Sequence, residues 1–440
     1  MLTYAQALSW LDDLLRCPRP ALPYEEVRLQ RMRSLLGRLD DPHERMPTVL
    51  VAGTKGKGST AAMLAAILQH RGLRVGLYSK PHLVDYRERI RVDDELIPPA
   101  ALARLVAQVR PAVEAGDAEP WGRPTYFETS VALALLYFLA RRVDLAILEV
   151  GIGGRLDATN VCDPHLSVIT PISYDHTDLL GRTLRQIATE KVGIVRPGGW
   201  VVVAPQPQEA RDAIGEACAV RGVRCVEVGR EVTFDIAEST LEGVRLAVRT
   251  PGGFYDDLRV PLLGRHQATN AAVAVAAAEM LCDLDAQAVR RALAQLRWPA
   301  RSEILAQRPT VLVDVAHNPA SMLALRATLT ELFARRRIVL VFGMIASHDP
   351  VEPAALITPL AEEVIVTTPQ HVRPLPADEL ARVVRPHNPR VTVHEGREEA
   401  LENALARTGP EDVLLVTGSF FLVGVAREWL LERLRRAPVS

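Results

Sequence analysis

The run Gly53-Thr54-Lys55-Gly56-Lys57-Gly58-Ser59-Thr60 gathers glycines, cations and hydroxyls into one turn between an apolar strand and a helical segment. Glycines let successive backbone N–H groups turn inward around phosphate oxygens, and the N-terminus of the following helix adds partial positive charge. Lys57 can reach the terminal phosphates of a nucleotide, and the hydroxyl of Ser59 or Thr60 can bind phosphate or Mg²⁺. Thr54, Gly56, Lys57, Gly58, Ser59 and Thr60 are therefore candidate triphosphate contacts. The spacing departs from G-x-x-x-x-G-K-[ST], because Gly58 separates the lysine from the hydroxyls. The other reading is a glycine-rich turn with no ligand. A dinucleotide site is disfavoured, since the turn lacks G-x-G-x-x-G.

These residues need elements to hold them. Pro47–Gly53 is a short apolar run that predicts a strand, and Thr60–Arg71 predicts the helix after the turn. Further strands are predicted in Arg74–Ser79, Asp144–Gly151, HLSVITPI and WVVVAP, with a buried helix over Ser130–Arg141. Continuous Val/Ile/Leu runs of this kind suit a parallel sheet with helices on both faces. From about residue 228 to 263 apolar and polar residues alternate, which predicts a small antiparallel section. A second α/β series, TVLVDVA, RIVLVFGM, EVIVTT and DVLLVTG, follows Trp298-Pro299-Ala300-Arg301. The fold class expected is α/β: a phosphate-loop-type parallel-sheet domain over residues 1–298 and a smaller Rossmann-like domain over 299–440. Ligands of such sheets bind at the carboxyl ends of strands. Glu149 stands at one such end, in EVG, where a carboxylate can hold Mg²⁺ through oxygen.

The order of blocks along the chain resembles the folylpolyglutamate synthase and dihydrofolate synthase family, relatives of the Mur ligases. GTKGKGST is followed by GLYSKPHLVDYRERIRV, YFET, EVGIGGRLDATN, SYDHTDLLG and IATEKVGIVRPG, then by ATNAAVA, WPARSE, VDVAHNP and TGSFFLVGVARE. The resemblance implies a ligase that uses ATP as co-substrate. ATP phosphorylates a carboxylate, the amine of L-glutamate attacks the acyl phosphate, and phosphate leaves. It implies Mg²⁺ held by Ser59, Glu149 and His176, and admits a K⁺ ion. It places Lys191 where the family carries a lysine that becomes a carbamate with CO₂. It assigns ATP contacts to Asn270, Arg301 and Asp314, a catalytic role near glutamate or nucleotide to His317, and glutamate binding to Ser419. Tyr126, Phe127, Glu128, Leu156, Asp157 and Ala158 match the pterin side, Phe127 as a stacking ring and Asp157 as a hydrogen-bonding carboxylate. This matches members that accept both dihydropteroate and folates.

Other readings of the same residues stay open. His176 suits a loop histidine bonded to Asp175 or Asp178, because imidazole is not a preferred Mg²⁺ ligand. Lys191 suits a helix-surface lysine, Phe127 simple packing, Asp314 and Ser419 helix caps, and Arg301 a surface ion pair. Two positions depart from the family pattern. Lys80 occupies a place where the family carries a hydroxyl ligand of Mg²⁺, and His348 one where it carries lysine. A Mur-type ligase for another carboxylate, or a nucleotide-binding protein without catalysis, are the alternatives.

Composition narrows the partners. The chain has 440 residues, enough for two or three cores, with a formal charge of −1. No global basic field draws nucleic acid or an anionic membrane. Arginine greatly outnumbers lysine but is scattered. The five cysteines, Cys17, Cys162, Cys218, Cys225 and Cys282, form no CxxC pair, which disfavours a disulfide framework or structural zinc. The N-terminus reads as an amphipathic helix without the basic and apolar regions of a signal peptide, and Val131–Ala140 is too short to span a bilayer. Small-molecule partners, a monomer and a cytoplasmic setting are expected.

Overall fold

The computed structural model describes residues 2–16 and 27–436; Cys17 lies outside them. The described residues form two compact units. The first takes residues up to Asp235 with Leu246–Val260 and Ala268–Leu296. The second takes Ile236–Arg245, Pro261–Gln267 and the residues from Arg297 onward.

The first unit is built on an eight-stranded sheet. Its strands are β1 (Thr48–Ala52), β2 (Val75–Tyr78), β3 (Ile90–Val92), β4 (Glu95–Leu96), β5 (Leu145–Glu149), β6 (Leu166–Ile169), β7 (Trp200–Val203) and β8 (Arg224–Glu227). They lie in the order β4-β3-β2-β5-β1-β6-β7-β8. From β2 to β8 all neighbours are parallel, while β3 and β4 add an antiparallel edge. Every residue of β1 and β5 is buried, as expected of strands covered on both faces. The chain leaves β1 for β2 on one side and reaches β6 on the other, so the carboxyl end of β1 is the point where strand order reverses. Crevices form at such points.

Helices cover this sheet. The predicted buried helix begins earlier than its apolar run, at Tyr126, and ends at Ala140. Thr125 and Glu128 cap it reciprocally: the Thr125 hydroxyl accepts from the Glu128 N–H at 3.2 Å, and the Glu128 carboxylate accepts from the Thr125 N–H at 2.7 Å. The helix Leu184–Val192 has the same device in Thr183 and Gln186, and it buries Ile187, Ala188, Lys191 and Val192. The amphipathic segment at the start of the chain is a helix over Tyr4–Arg16 that buries Ala7, Trp10, Leu11 and Leu14.

Where alternating residues predict a separate section, strands β9 (Thr233–Thr240), β10 (Gly243–Arg249) and β11 (Phe254–Val260) form a three-stranded sheet in the order β11-β10-β9.

The second unit holds a six-stranded sheet of β12 (Glu303–Gln307), β13 (Thr310–Val313), β14 (Ile338–Phe342), β15 (Glu363–Thr367), β16 (Val391–His394) and β17 (Val413–Thr417), ordered β12-β13-β17-β14-β15-β16. Only the β12–β13 pair is antiparallel. The last strand, β17, inserts between β13 and β14, so the carboxyl ends of these three define a second crevice. Leu312, Leu340, Phe342, Val364, Leu415 and their covering helices form its core. No helix among the described residues is long and apolar enough to cross a membrane.

Candidate active site

The glycine turn follows β1 and enters the helix Lys57–His70. Gly56 caps that helix at φ +79°, and a Cβ there would run into the Asn270 carboxamide oxygen, so only glycine fits. Asn270 is buried, and its Oδ1 lies 3.5 Å from the Thr60 hydroxyl. Thr54 is tied to the loop after β6: its hydroxyl donates to the Ser173 carbonyl and accepts from the Ser173 N–H, each at 3.1 Å. The N–H groups of Thr54 and Lys55 donate to the Pro171 carbonyl. Thr54 thus anchors the turn, leaving Gly56 to Ser59 at the helix N-terminus. N–H groups of a first helical turn have no intrahelical partner.

Two lysines meet beneath the turn. The Lys57 ammonium donates to the Gly53 carbonyl at 3.1 Å, and the Lys191 ammonium donates to the same oxygen at 2.9 Å. Lys191 is only 4% exposed, which removes the surface-lysine reading. Burial, and then the charge of Lys57, bring its pKa down from 10.5 to about 7. A buried amine beside a like charge favours its neutral form. Lys55 pairs with Asp175 at 3.8 Å.

One strand over, Glu149 closes β5, 5% exposed, and its Oε2 accepts from the Lys80 backbone N–H at 3.1 Å. The Lys80 ammonium turns the other way and donates to the Gly151 carbonyl at 2.8 Å. Asp157 fastens this loop from inside. Its Oδ2 accepts from the N–H groups of Gly151 and Ile152, at 2.9 and 3.1 Å. Its Oδ1 accepts from the Thr159 N–H and hydroxyl, at 3.0 and 2.6 Å. Burial raises its pKa. Four protein donors fill the lone pairs of this carboxylate, so Asp157 shapes the loop rather than offering a vacant acceptor. Leu156 and Ala158 beside it are buried.

Phe127 is half-buried against the same loop, with its ring 6.2 Å from that of Tyr78. Tyr126 faces inward, edge-on to Tyr86 at 6.0 Å and under the Arg89 guanidinium. Glu128, expected on the substrate side, gives its carboxylate to the helix cap and to Arg31, whose Nε lies 2.8 Å away. The signal for this use was in the sequence as the capping box T-x-x-E. His176 holds a left-handed backbone at φ +50°, with Nε2 4.0 Å from the Asp175 carboxylate.

The donors here suit Mg²⁺. Glu149 and Ser59 offer hard oxygen ligands, and the ion takes one or two carboxylates and draws the rest from phosphate and water. Among the described residues no three His, Cys, Asp or Glu converge on a point.

In the second unit Asp314 follows β13. Its Oδ2 accepts from the Ser302 N–H and hydroxyl at 2.7 and 3.0 Å, and its Oδ1 accepts from the Ala316 N–H at 2.7 Å. Ala300 and Ser302 both have left-handed backbones, so Asp314 buckles a sharp turn that carries Arg301. It is no helix cap. The Arg301 guanidinium lies 5.1 Å over the Phe420 ring. His317 is oriented by its Nδ1 contact of 2.8 Å with the Val315 carbonyl, and its ring lies 5.0 Å from His348 and 5.5 Å from Phe420. Ser419 is buried and accepts from the Leu422 N–H at 3.1 Å, capping the helix Phe420–Arg436. Sequence reasoning missed the stacking of Phe420 and the clamp of Lys80 on Gly151; no local pattern marks either one.

Residues 51–278 match the Mur ligase middle domain and residues 300–420 the Mur ligase glutamate ligase domain. The chain is 32% identical to a Bacillus subtilis dihydrofolate synthase/folylpolyglutamate synthase, over 97% of this chain and 99% of that one. It is 37% identical to a probable bifunctional folylpolyglutamate synthase/dihydropteroate synthase of Haloferax volcanii, over 96% of this chain; the chain spans 50% of that protein's length. A Mycobacterium tuberculosis folylpolyglutamate synthase complexed with ADP superposes with a TM-score of 0.89 at 31% identity, covering 97% of this chain and 98% of that one.

Proposed function

We propose a reaction for a chain that belongs to the folylpolyglutamate synthase and dihydrofolate synthase family of Mur ligases: it joins L-glutamate to the carboxylate of dihydropteroate or of a reduced folate, consuming ATP. The observation that carries this reading is the convergence of Lys57 and Lys191 on the Gly53 carbonyl, beneath a glycine turn and one strand from the buried Glu149.

A free carboxylate resists amines, so the γ-phosphoryl group is first moved onto it, and the protein's task is positioning and charge neutralisation. The turn from Gly56 to Thr60 cradles the triphosphate, and Lys57 faces the moving phosphoryl group. Glu149 and Ser59, with His176, would hold Mg²⁺, which would supply positive charge to the phosphate oxygens. With its pKa brought down to about 7, the Lys191 amine has a substantial neutral fraction at pH 7, the form that adds CO₂ and releases a proton to become an anionic carbamate. Residues 299–440 serve as the glutamate ligase domain. There Arg301 and Asp314 are the nucleotide contacts of the second unit; Asn270, packed on the glycine turn, is an ATP contact of the first. His317 faces glutamate or nucleotide, and Ser419 orients glutamate. Phe127 stacks on the pterin, in a wall that Asp157 keeps in shape together with Tyr126, Leu156 and Ala158. Glu128 holds the entry to that wall by capping its helix.

A monomer in a reducing cytoplasm fits the free thiols of Cys162, Cys218, Cys225 and Cys282. One observation favours another carboxylate acceptor: Asp157 has no vacant lone pair to read a pterin edge. Glutamate-dependent ADP formation, measured with dihydropteroate, tetrahydrofolate and unrelated carboxylates, tests both readings. Turnover with both pterins is expected. Turnover with an unrelated carboxylate alone would replace the acceptor, and turnover with tetrahydrofolate alone would make the chain a polyglutamate synthase only.

A further inference from the structure

Of the 52 lysines and arginines in the chain only four are lysines: Lys55, Lys57, Lys80 and Lys191. Every other strong cation is an arginine. All four lysines belong to the crevice at the carboxyl ends of the central strands, and the charges of Lys55, Lys57 and Lys80 all act on Lys191. On a solvated surface the two residue types serve alike. In a phosphate site they do not: the ammonium is a compact point charge on a flexible stem, whereas the guanidinium is a broad planar fork. Lys57 and Lys191 meet at Gly53, and Lys55 pairs with Asp175. Lys80 has no role in the reading above.

Its surroundings define one. The Lys80 backbone N–H is on Glu149 and its ammonium is on the Gly151 carbonyl. Gly151 is pinned from the other side. Its N–H is held by Asp157, and a Cβ there would lie 2.7 Å from the Asp157 carboxylate and 2.8 Å from the Phe127 ring. Lys80 therefore bridges the end of β5 that faces the phosphates and the loop that borders the aromatic wall. An ammonium has three donors, and hydrogen bonding within the protein takes one of them.

We propose that Lys80 receives the carboxylate of the acceptor and holds it against the γ-phosphoryl group during phosphoryl transfer, a role that rests on the ligase reading. In that step a carboxylate oxygen bonds to the γ-phosphorus while the bond to the bridging oxygen of ADP breaks, giving acyl phosphate and ADP. Two anions must reach bonding distance, and a fixed cation touching both lowers their repulsion. Glutamate's amine then forms the C–N bond as the C–O bond to phosphate breaks, and the amine proton leaves to solvent.

The test uses the full chain in two arms. Lys80→Gln keeps a donor for the Gly151 carbonyl and loses the charge; Lys80→Arg keeps the charge. Expected for Lys80→Gln is a loss of about 10²-fold in kcat with a raised KM for the acceptor, partly recovered in Lys80→Arg. Wild-type constants in Lys80→Gln would reduce Lys80 to a loop clamp and overturn the proposal. The second arm labels the wild-type protein by reductive methylation and reads the four lysines by mass spectrometry. Dihydropteroate or tetrahydrofolate added with a β,γ-methylene ATP analogue should protect Lys80 well beyond the analogue alone. Equal labelling in both would overturn the proposal even if Lys80→Gln fails to fold. Because this arm involves no glutamate, wild-type protein that protects Lys80 but makes no glutamate-dependent ADP would sink the ligase reading and leave the carboxylate contact standing.

Discussion

The two crevices solve different problems with different cations. The first unit concentrates ammonium groups around a glycine turn, with Lys57 and Lys191 on one carbonyl and a buried carboxylate, Glu149, at the next strand end. The second unit uses a guanidinium, two imidazoles and a phenyl ring, packed at 5.0 to 5.5 Å. Compact charges suit a group that carries several negative charges and moves during reaction. Flat groups suit holding a ring or a planar carboxylate in place. The carboxylates differ in the same sense. Asp314 is consumed by three donors of its own turn, whereas Glu149 hydrogen-bonds one backbone N–H. The first crevice is therefore where charge balance should dominate, and the second is where geometry should.

The largest effect expected follows from charge. Lys57→Ala should lower ligase turnover by about 10²–10³ while far-UV circular dichroism stays unchanged, because the paired hydrogen bonds of Thr54 with Ser173 still hold the turn when the ammonium on the Gly53 and Thr54 carbonyls is removed. Near-normal turnover in folded Lys57→Ala protein would remove the phosphate-loop assignment and the contrast with it.

Lys191 sharpens the same contrast through pH. Its folded pKa of about 7 lies below the ordinary 10.5. Between those values the unfolded chain binds one more proton than the folded one, so stability rises with pH across this window, by about 1.4 kcal/mol per unit at most. Lys191→Met lacks this dependence. In CO₂-depleted buffer its Tm advantage over wild type should be greatest at pH 7 and below, and should fade toward pH 10. Parallel Tm profiles would mean that Lys191 keeps an ordinary pKa. With ¹³C-bicarbonate, a carbamate resonance in wild type that is absent from Lys191→Met is the expected sign of the CO₂ adduct.

Geometry should dominate at Asp314. Asp314→Ala leaves the Ser302 N–H and hydroxyl and the Ala316 N–H without their acceptor, a cost of about 2–3 kcal/mol. It should also raise KM for ATP by loosening Arg301, while kcat at saturating ATP changes little. A fall in kcat with unchanged KM would make Asp314 part of the chemistry instead.

How far the sequence reaches differs between the crevices for a physical reason. The strand, glycine turn and helix of the first are contiguous, so an apolar run and the special backbone needs of Gly56 mark them locally. The meeting of Lys57 with Lys191 joins residues 134 apart, on two helices whose ammonium groups reach one carbonyl only in the folded chain. Glu128 shows a local signal competing with a functional one, since T-x-x-E before an apolar run already marks a helix cap. The edge strands β4, β8, β12 and β16, and β3 beside the edge, escaped because strands this short and this close to a sheet edge carry little of the continuous apolar signal. Asp314 was legible as a special carboxylate, but its buckle depends on left-handed backbones at Ala300 and Ser302 that no residue type there announces.

The smallest effect expected is at Ser419, where the two crevices' logic can be separated within one side chain. Its hydroxyl accepts from the Leu422 N–H and caps the helix Phe420–Arg436. Removing a serine cap costs about 1 kcal/mol, which lowers the Tm of a unit this size by about 2–4 °C. A cap alone therefore predicts a small Tm loss in Ser419→Ala with KM for glutamate unchanged. The proposed contact with glutamate predicts the same Tm loss and a KM for glutamate raised severalfold, with KM for ATP and the acceptor unaffected. Ser419→Asp provides the control, because aspartate caps as well as serine yet brings a negative charge against the glutamate carboxylates. It should restore Tm while raising KM for glutamate further. If Ser419→Asp restores both, the residue is a cap and nothing more, and glutamate binding must be sought elsewhere among the residues of the second unit.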